Sequence, residues 1–309
     1  MAVLPAVDYA KPDLSHFNSV GFWRTGIAHP SRETTGWLGR TVDTIGTADN
    51  PLQAISASWD LDPVLSSRRA PTATVFDPNE FTFWIEGAWD DERMMSAYRD
   101  AVGVPDGSSA LAAARAGYQN AFRIQDRLKP LRVDDEDELP PAPVEYPEGD
   151  LGSGLRNLAR MLGAGFGTRV AAINTGGGYD THDNQPDDHA NLLRELGDSL
   201  WAFQADLAAR GLSNRVLTLV WSEFGRRPED NDSNGTDHGA GGLVLLVGDR
   251  ANGGIRSEFP GLAQLDREDN LRVTTEFRTV YATLLEGWMG VEAGRVLPGI
   301  DNGRLPLVA

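Results

Sequence analysis

Asp180, His182, Glu223, Asp237 and His238 are carboxylates and imidazoles, the donor types that a hard-to-borderline divalent metal ion requires. Asp180 and His182 are separated by one residue, so in an extended turn their side chains point the same way and can share one ion. Asp237 and His238 are adjacent and diverge in extended chain. That arrangement suits two ions, or one ion and a group that supports its ligands. Gly176, Gly177, Gly178 and Gly239 let the backbone approach an anion or adopt positive φ. The same residue types also serve as plain polar turns that bond their own backbone, and spacing alone leaves both readings open.

The elements that must position these residues are legible around them. Residues 170–173 and 216–220 are continuous apolar runs, the pattern of strands covered on both faces. Between them Leu192, Leu193, Leu196, Leu200, Phe203 and Leu207 recur at three- and four-residue steps, which predicts a helix. Pro186 is tolerated in its first turn, Asp187 and Asp188 suit its positive end, and Gly211 ends it. Strand, turn, helix, strand, turn reads as a right-handed parallel crossover. In such sheets ligands gather beyond the carboxyl ends of the strands, where both polar turns fall.

Three runs taken together carry a family resemblance: Gly177-Gly178-Tyr179-Asp180-Thr181-His182 with Asn184-Gln185, then Ser222-Glu223-Phe224-Gly225-Arg226, then Gly235-Thr236-Asp237-His238-Gly239. In this order, with a Leu-rich helix between, they closely resemble the bacterial domain-of-unknown-function family 1501. Ser15-His16-Phe17 and Gly36-Trp37-Leu38-Gly39-Arg40 extend the resemblance from about Ser15 to the C-terminus. The family is usually exported by the twin-arginine route and is grouped with the alkaline phosphatase and sulfatase superfamily. The resemblance therefore implies an α/β fold, an alkaline-phosphatase-like three-layer sandwich with a mostly parallel sheet flanked by helices. It implies a divalent metal (Zn, Ca, Mg or Mn) held by Asp180, His182, Glu223, Asp237 and His238, with His16 a further ligand. Ser15 matches the superfamily's nucleophile in chain order, and its plain alternative is to cap a helix beginning at His16. Asn184 and Arg226 are expected substrate contacts, Arg226 because its fork matches tetrahedral oxyanions. Glu223 stands where better-known superfamily members carry Asp, which favours one ion or a harder one.

Family members usually begin with an export signal and a strand ending in a Gly-Gly-Asn-Asp-Gly type turn that supplies another metal-binding Asp. The first dozen residues here are read as containing neither a strand with such a turn nor a signal. The expectation is a truncated gene product or a site that has lost a part. Localisation is expected to be periplasmic or secreted by resemblance, with the cytoplasm left open because no signal opens the chain.

The 309 residues suffice for one large α/β domain or two smaller ones, and 40% apolar content with eight Trp and eleven Phe is globular. A net charge of −17 argues against nucleic acid or an anionic membrane as partner. Bound divalent ions, with Arg226 and Arg227, would offset that field for an anionic substrate. The chain has no cysteine, which excludes disulfides and thiolate chemistry, and no apolar run long enough to span a membrane.

Elsewhere, residues 72–76 and 81–85 read as strands around a turn at Asp77-Pro78-Asn79, and residues 92–102 and 110–131 as helices. Residues 133–150 hold eight acidic residues, no basic ones and four prolines, the composition of a solvated loop or linker. The predicted organisation is thus an N-terminal part of the α/β domain with a small strand/helix insertion (1–132), the acidic loop (133–150), and a core carrying the metal site (151–309). In that core, residues 155–166 read as a helix, 242–247 as a buried strand, and 271–278 as a strand leading into a helix capped by Thr274 or Thr275. The function implied is metal-dependent hydrolysis of a small phosphate or sulfate ester. A non-catalytic, metal-binding scaffold is the alternative, and a mutase or transferase of phosphorylated metabolites a third. Oligomeric state is not read from the sequence.

Overall fold

The computed structural model describes residues 1–82, 92–103, 109–133, 141–301 and 303–309. The chain opens with a strand, β1 (Ala2–Asp8), which buries Ala2, Leu4, Ala6, Val7 and Asp8. A strand is therefore present where the family's first strand was expected to be lacking, and no glycine-rich turn follows it. The expectation rested on that turn, and a short apolar run without turn punctuation gives a weak strand signal. Next come α1 (His16–Thr25), α2 (Trp37–Ile45), β2 (Ala54–Ser56) and β3 (Ala73–Thr74). They are followed by α3 (Glu92–Gly103), α4 (Ser109–Leu128), α5 (Asp150–Gly163), β4 (Val170–Ala172) and α6 (Gln185–Ala209). The last third holds β5 (Thr218–Val220), β6 (Gly225–Asp230), β7 (Thr236–Gly239), β8 (Gly242–Val247), β9 (Gly254–Ile255), β10 (Thr275–Glu276) and α7 (Phe277–Gly287). Of the predicted strand at 81–85, residues 81–82 are not strand and 83–85 lie outside the described residues. Part of the acidic stretch, 134–140, also lies outside them.

The fold is mixed α/β, with sheets that are partly antiparallel rather than mostly parallel. One sheet runs β10-β1-β8-β5 with β9 also on β1; β8 is antiparallel to both β1 and β5. A second, all-parallel sheet runs β3-β2-β4, and β6 and β7 form a separate antiparallel hairpin. The predicted crossover therefore fails in one respect: β4 and β5 belong to different sheets. β5 instead pairs antiparallel with β8, with the β6–β7 hairpin between them in the chain.

Two apolar clusters hold the fold, the first also taking in Ala54 of β2 and Val170 of β4. Around β1 and β8 lie Trp23 of α1, Trp37 of α2, and Phe277 and Tyr281 of α7. Trp23 stacks on Phe277 at 4.7 Å and Trp37 on Tyr281 at 4.2 Å, while the Tyr281 hydroxyl donates to the Trp23 carbonyl. Fully burying an aromatic of this size contributes roughly 1.5–3 kcal/mol. Around β2, β3 and β4 lie Leu151, Leu155 and Leu158 of α5 with Phe203 and Leu207 of α6. These are the C-terminal members of the predicted apolar series on α6; Leu193 is exposed. The cap of α7 is the Glu276 carboxylate, accepting from the Arg278 N–H, and not Thr274 or Thr275. Among the described residues no helix is long and apolar enough to cross a membrane.

Asp8, at the end of β1, is fully buried. Its two oxygens accept the backbone N–H groups of Tyr9 and Gly241, tying β1 to the turn between β7 and β8. Burial outweighs these bonds and pushes its carboxyl up to about 7.

Candidate metal centre

Three stretches far apart in sequence converge on one spot: the start of α1 with His16, the loop after β4 with Asp180 and His182, and the run from the loop after β5, with Glu223, into the β6–β7 hairpin with Arg226, Asp237 and His238. The hairpin register sets Arg226 directly opposite His238, so their side chains share one face. Trp221, just before Glu223, stacks on Trp23 with ring centroids 5.1 Å apart and 5° between planes. Two turns up the same helix is His16, so this stack fixes the Glu223 loop to the element that carries His16.

Three imidazoles and one carboxylate form the centre. Asp180 Oδ1 lies 2.9 Å from His238 Nε2 and 3.0 Å from His182 Nε2, and Asp180 Oδ2 lies 3.3 Å from His16 Nε2. His182 Nε2 and His238 Nε2 are 3.0 Å apart. His16, Asp180 and His238 offer ligand atoms within 4.8 Å of one another. For bonds of the usual zinc–nitrogen length, neighbouring ligands of a tetrahedral ion stand about 3.3 Å apart. The contacts of Asp180 with the three rings and of His182 with His238, at 2.9–3.3 Å, are close to that spacing. His16 Nε2 is buried and makes no hydrogen bond; its polar contact is the Asp180 carboxylate at 3.3 Å.

The opposite side of each ring is engaged. His16 Nδ1 faces Glu223 Oε1 at 2.7 Å, His182 Nδ1 faces Asp237 Oδ1 at 3.2 Å, and His238 Nδ1 faces the Leu14 carbonyl at 3.0 Å. Leu14 holds a left-handed φ of 55°, a conformation uncommon for leucine. Glu223 and Asp237 thus meet imidazoles at the nitrogens turned away from Asp180. Burial would raise the Asp180 carboxyl, but its contacts with His238 and Arg226 outweigh that and hold it well below the usual carboxylate range. Asp237 is also lowered, first by its bond from Asn231 and then by His182.

Arg226 adds a fixed cation. Its Nη2 donates to Asp180 Oδ1 at 2.5 Å and to the Tyr179 carbonyl, and its Nη1 donates to the Thr236 carbonyl. Ser15 sits between Leu14 and His16, both of which touch the cluster. It occupies the N-cap position of α1, yet its side chain makes no cap bond; its backbone N–H is held by Asp13 instead. Asn184 precedes α6 at φ 45° and donates its backbone N–H to Ser233; no hydrogen bond described for its side chain joins it to the cluster.

Several organising residues escaped sequence reasoning. Phe224, buried, packs its ring on both His16 and His238, at 4.8 and 4.6 Å. Asn231 donates to the His182 carbonyl and to Asp237 Oδ1, and its own oxygen accepts the N–H groups of Ser233 and Gly235. Gln185 bridges Thr181 and Thr236. At Gly235 a Cβ would come 2.1 Å from the His182 carbonyl carbon, so only glycine permits this approach of hairpin to loop. A glycine and an Asn two to four residues upstream in a hairpin turn were the available signals. A separate cavity, lined by Thr283, Glu286, Arg304 and Leu305 among others, contains none of these residues.

A family model described as "Protein of unknown function (DUF1501)" matches residues 6–288. No curated protein and no solved structure matches the chain.

Proposed function

The chain belongs to the DUF1501 family, and we propose that it is a metal-dependent hydrolase of small phosphate or sulfate esters. The observation that carries this reading is the convergence of His16, His182 and His238 through Nε2 upon the Asp180 carboxylate. A divalent ion bound there would act as a Lewis acid on the ester oxygen and lower the pKa of a coordinated water.

The protein's own groups supply the remainder. The Arg226 guanidinium, held in place by the Tyr179 and Thr236 carbonyls, sits beside the centre as a cation able to meet a tetrahedral oxyanion. Ser15 is the candidate nucleophile by its position next to His16, and Asn184 remains a proposed substrate contact. An alkaline-phosphatase-like three-layer arrangement and an extracytoplasmic location belong to the same proposal, by family resemblance.

A second reading has its own support. Arg226 already engages Asp180, so the cluster has an internal counter-charge, as a degenerate metal-binding or scaffold protein would. Elemental analysis together with turnover of a panel of aryl phosphates and sulfates separates the two. Bound metal with turnover that vanishes in His182→Ala supports the hydrolase; bound metal without turnover on any ester supports the scaffold.

A further inference from the structure

We infer that the centre takes a single divalent ion, ligated by Nε2 of His16, His182 and His238 and by the Asp180 carboxylate. Glu223, Asp237 and the Leu14 carbonyl are positioning groups that hold the three imidazoles and do not ligate. The inference rests on the metal-dependent reading above and departs from the wider ligand set that resemblance implies.

An oxygen that can only accept stands against Nδ1 of each ring: Glu223 Oε1, Asp237 Oδ1 and the Leu14 carbonyl. With a cation on the Nε2 side, each Nδ1 carries the proton and donates it to that oxygen. A neutral imidazole so committed presents Nε2 as a lone pair, and each of the three Nε2 atoms meets the Asp180 carboxylate. Two such lone pairs 3.0 Å apart, both against a carboxylate oxygen, repel one another, and a cation between them removes the repulsion. His16 Nε2, buried and making no hydrogen bond, meets the same carboxylate from the third side. The carboxylate spans the set, meeting His16 through Oδ2 and the other two rings through Oδ1. Glu223 and Asp237 are drawn off by Nδ1 atoms, which leaves one donor cluster and thus one ion. Carboxylate and carbonyl acceptors behind ligating histidines fix the ring tautomer and raise its basicity.

The test is titration of metal-free, full-length protein with Co²⁺, followed by proton NMR. Saturation is expected at one cobalt per chain. Three paramagnetically shifted resonances are expected, all lost in heavy water, one for each Nδ1–H. Glu223→Ala and Asp237→Ala should keep the one-to-one stoichiometry while weakening cobalt binding about 10–100-fold. Glu223→Gln and Asp237→Asn, which retain an accepting oxygen, should recover most of that loss and move one resonance each. Two cobalt ions per chain, fewer than three exchangeable signals, or abolished binding in a folded Gln or Asn variant would overturn the inference. Absence of any cobalt binding would overturn it together with the metal-dependent reading, whereas one cobalt with no ester turnover would overturn the catalytic reading alone.

Discussion

His182 Nε2 and His238 Nε2 lie 3.0 Å apart although 56 positions separate them in the chain. One comes from the loop before α6 and the other from the returning strand of a hairpin, and Gln185, Asn231 and Gly235 stitch those two segments together. From this contact follow outcomes for the site and, elsewhere in the molecule, for the fold.

Replacing either imidazole should empty the centre. His182→Ala or His238→Ala is expected to lose bound metal and reduce ester hydrolysis to background, while far-UV circular dichroism stays unchanged because both rings are partly exposed and outside the apolar clusters. Metal content by elemental analysis, measured beside turnover, checks this. Full metal retention in both variants would refute it.

Gly235→Ala tests the approach of hairpin to loop. The added methyl collides with the His182 backbone, so the two segments must separate. The expected cost is about 1–3 kcal/mol of stability, typical of overpacking, together with weaker metal binding. Urea unfolding and a metal titration report the two effects separately.

Asp8 predicts a pH dependence. Its folded carboxyl is raised to about 7, so the folded state favours the protonated form. The penalty for burying the charged form is absent below the ordinary carboxylate pKa. It accumulates as the pH rises through that value toward 7, on the order of a few kcal/mol in all. Asp8→Asn should therefore lose this downward slope of stability between about pH 4 and 7. Glu33, lowered to about 2 chiefly by its bond from Thr35, acts in a different window: its contribution is complete above the ordinary glutamate value and is lost as the pH falls through about 2. Urea midpoints of wild type and Asp8→Asn across pH 4–8 check the sign.

Asp206 is fully buried on α6, where it accepts from Arg210 Nε at 2.7 Å and from the Tyr146 hydroxyl at 3.0 Å. Arg210→Ala leaves that charge short of its cation and should cost about 3 kcal/mol, the lower end for breaking a buried pair. Tyr146→Phe removes one hydrogen bond to the same carboxylate and should cost about 1–3 kcal/mol. Denaturant midpoints compare them.

What could be read in the sequence divides by physical range. Helix α6 and strand β8 were plain, because periodicity, Pro186 and an unbroken apolar run are local signals. The identities of the cluster residues were also visible, since Asp180, His182 and His238 are chemically distinctive. The sheet order was not, because β5 and β8 pair through a hairpin excursion whose return direction no local pattern states. Nor was the position of Glu223: that it meets His16 at Nδ1, on the side away from Asp180, goes with the Trp23–Trp221 stack and the Phe224 ring packed on His16. Strand β1 is hard to read from sequence because its bulge at Ala6, where φ is 56°, breaks strict alternation.

The most direct test is a crystal structure of the full chain soaked in a divalent metal, with anomalous scattering collected at the metal edge. One peak is expected, at about 2.0–2.2 Å from Nε2 of His16, His182 and His238 and from Asp180, with Glu223 and Asp237 still on the far nitrogens. No peak among these four side chains, or a peak coordinated by other groups, would contradict it.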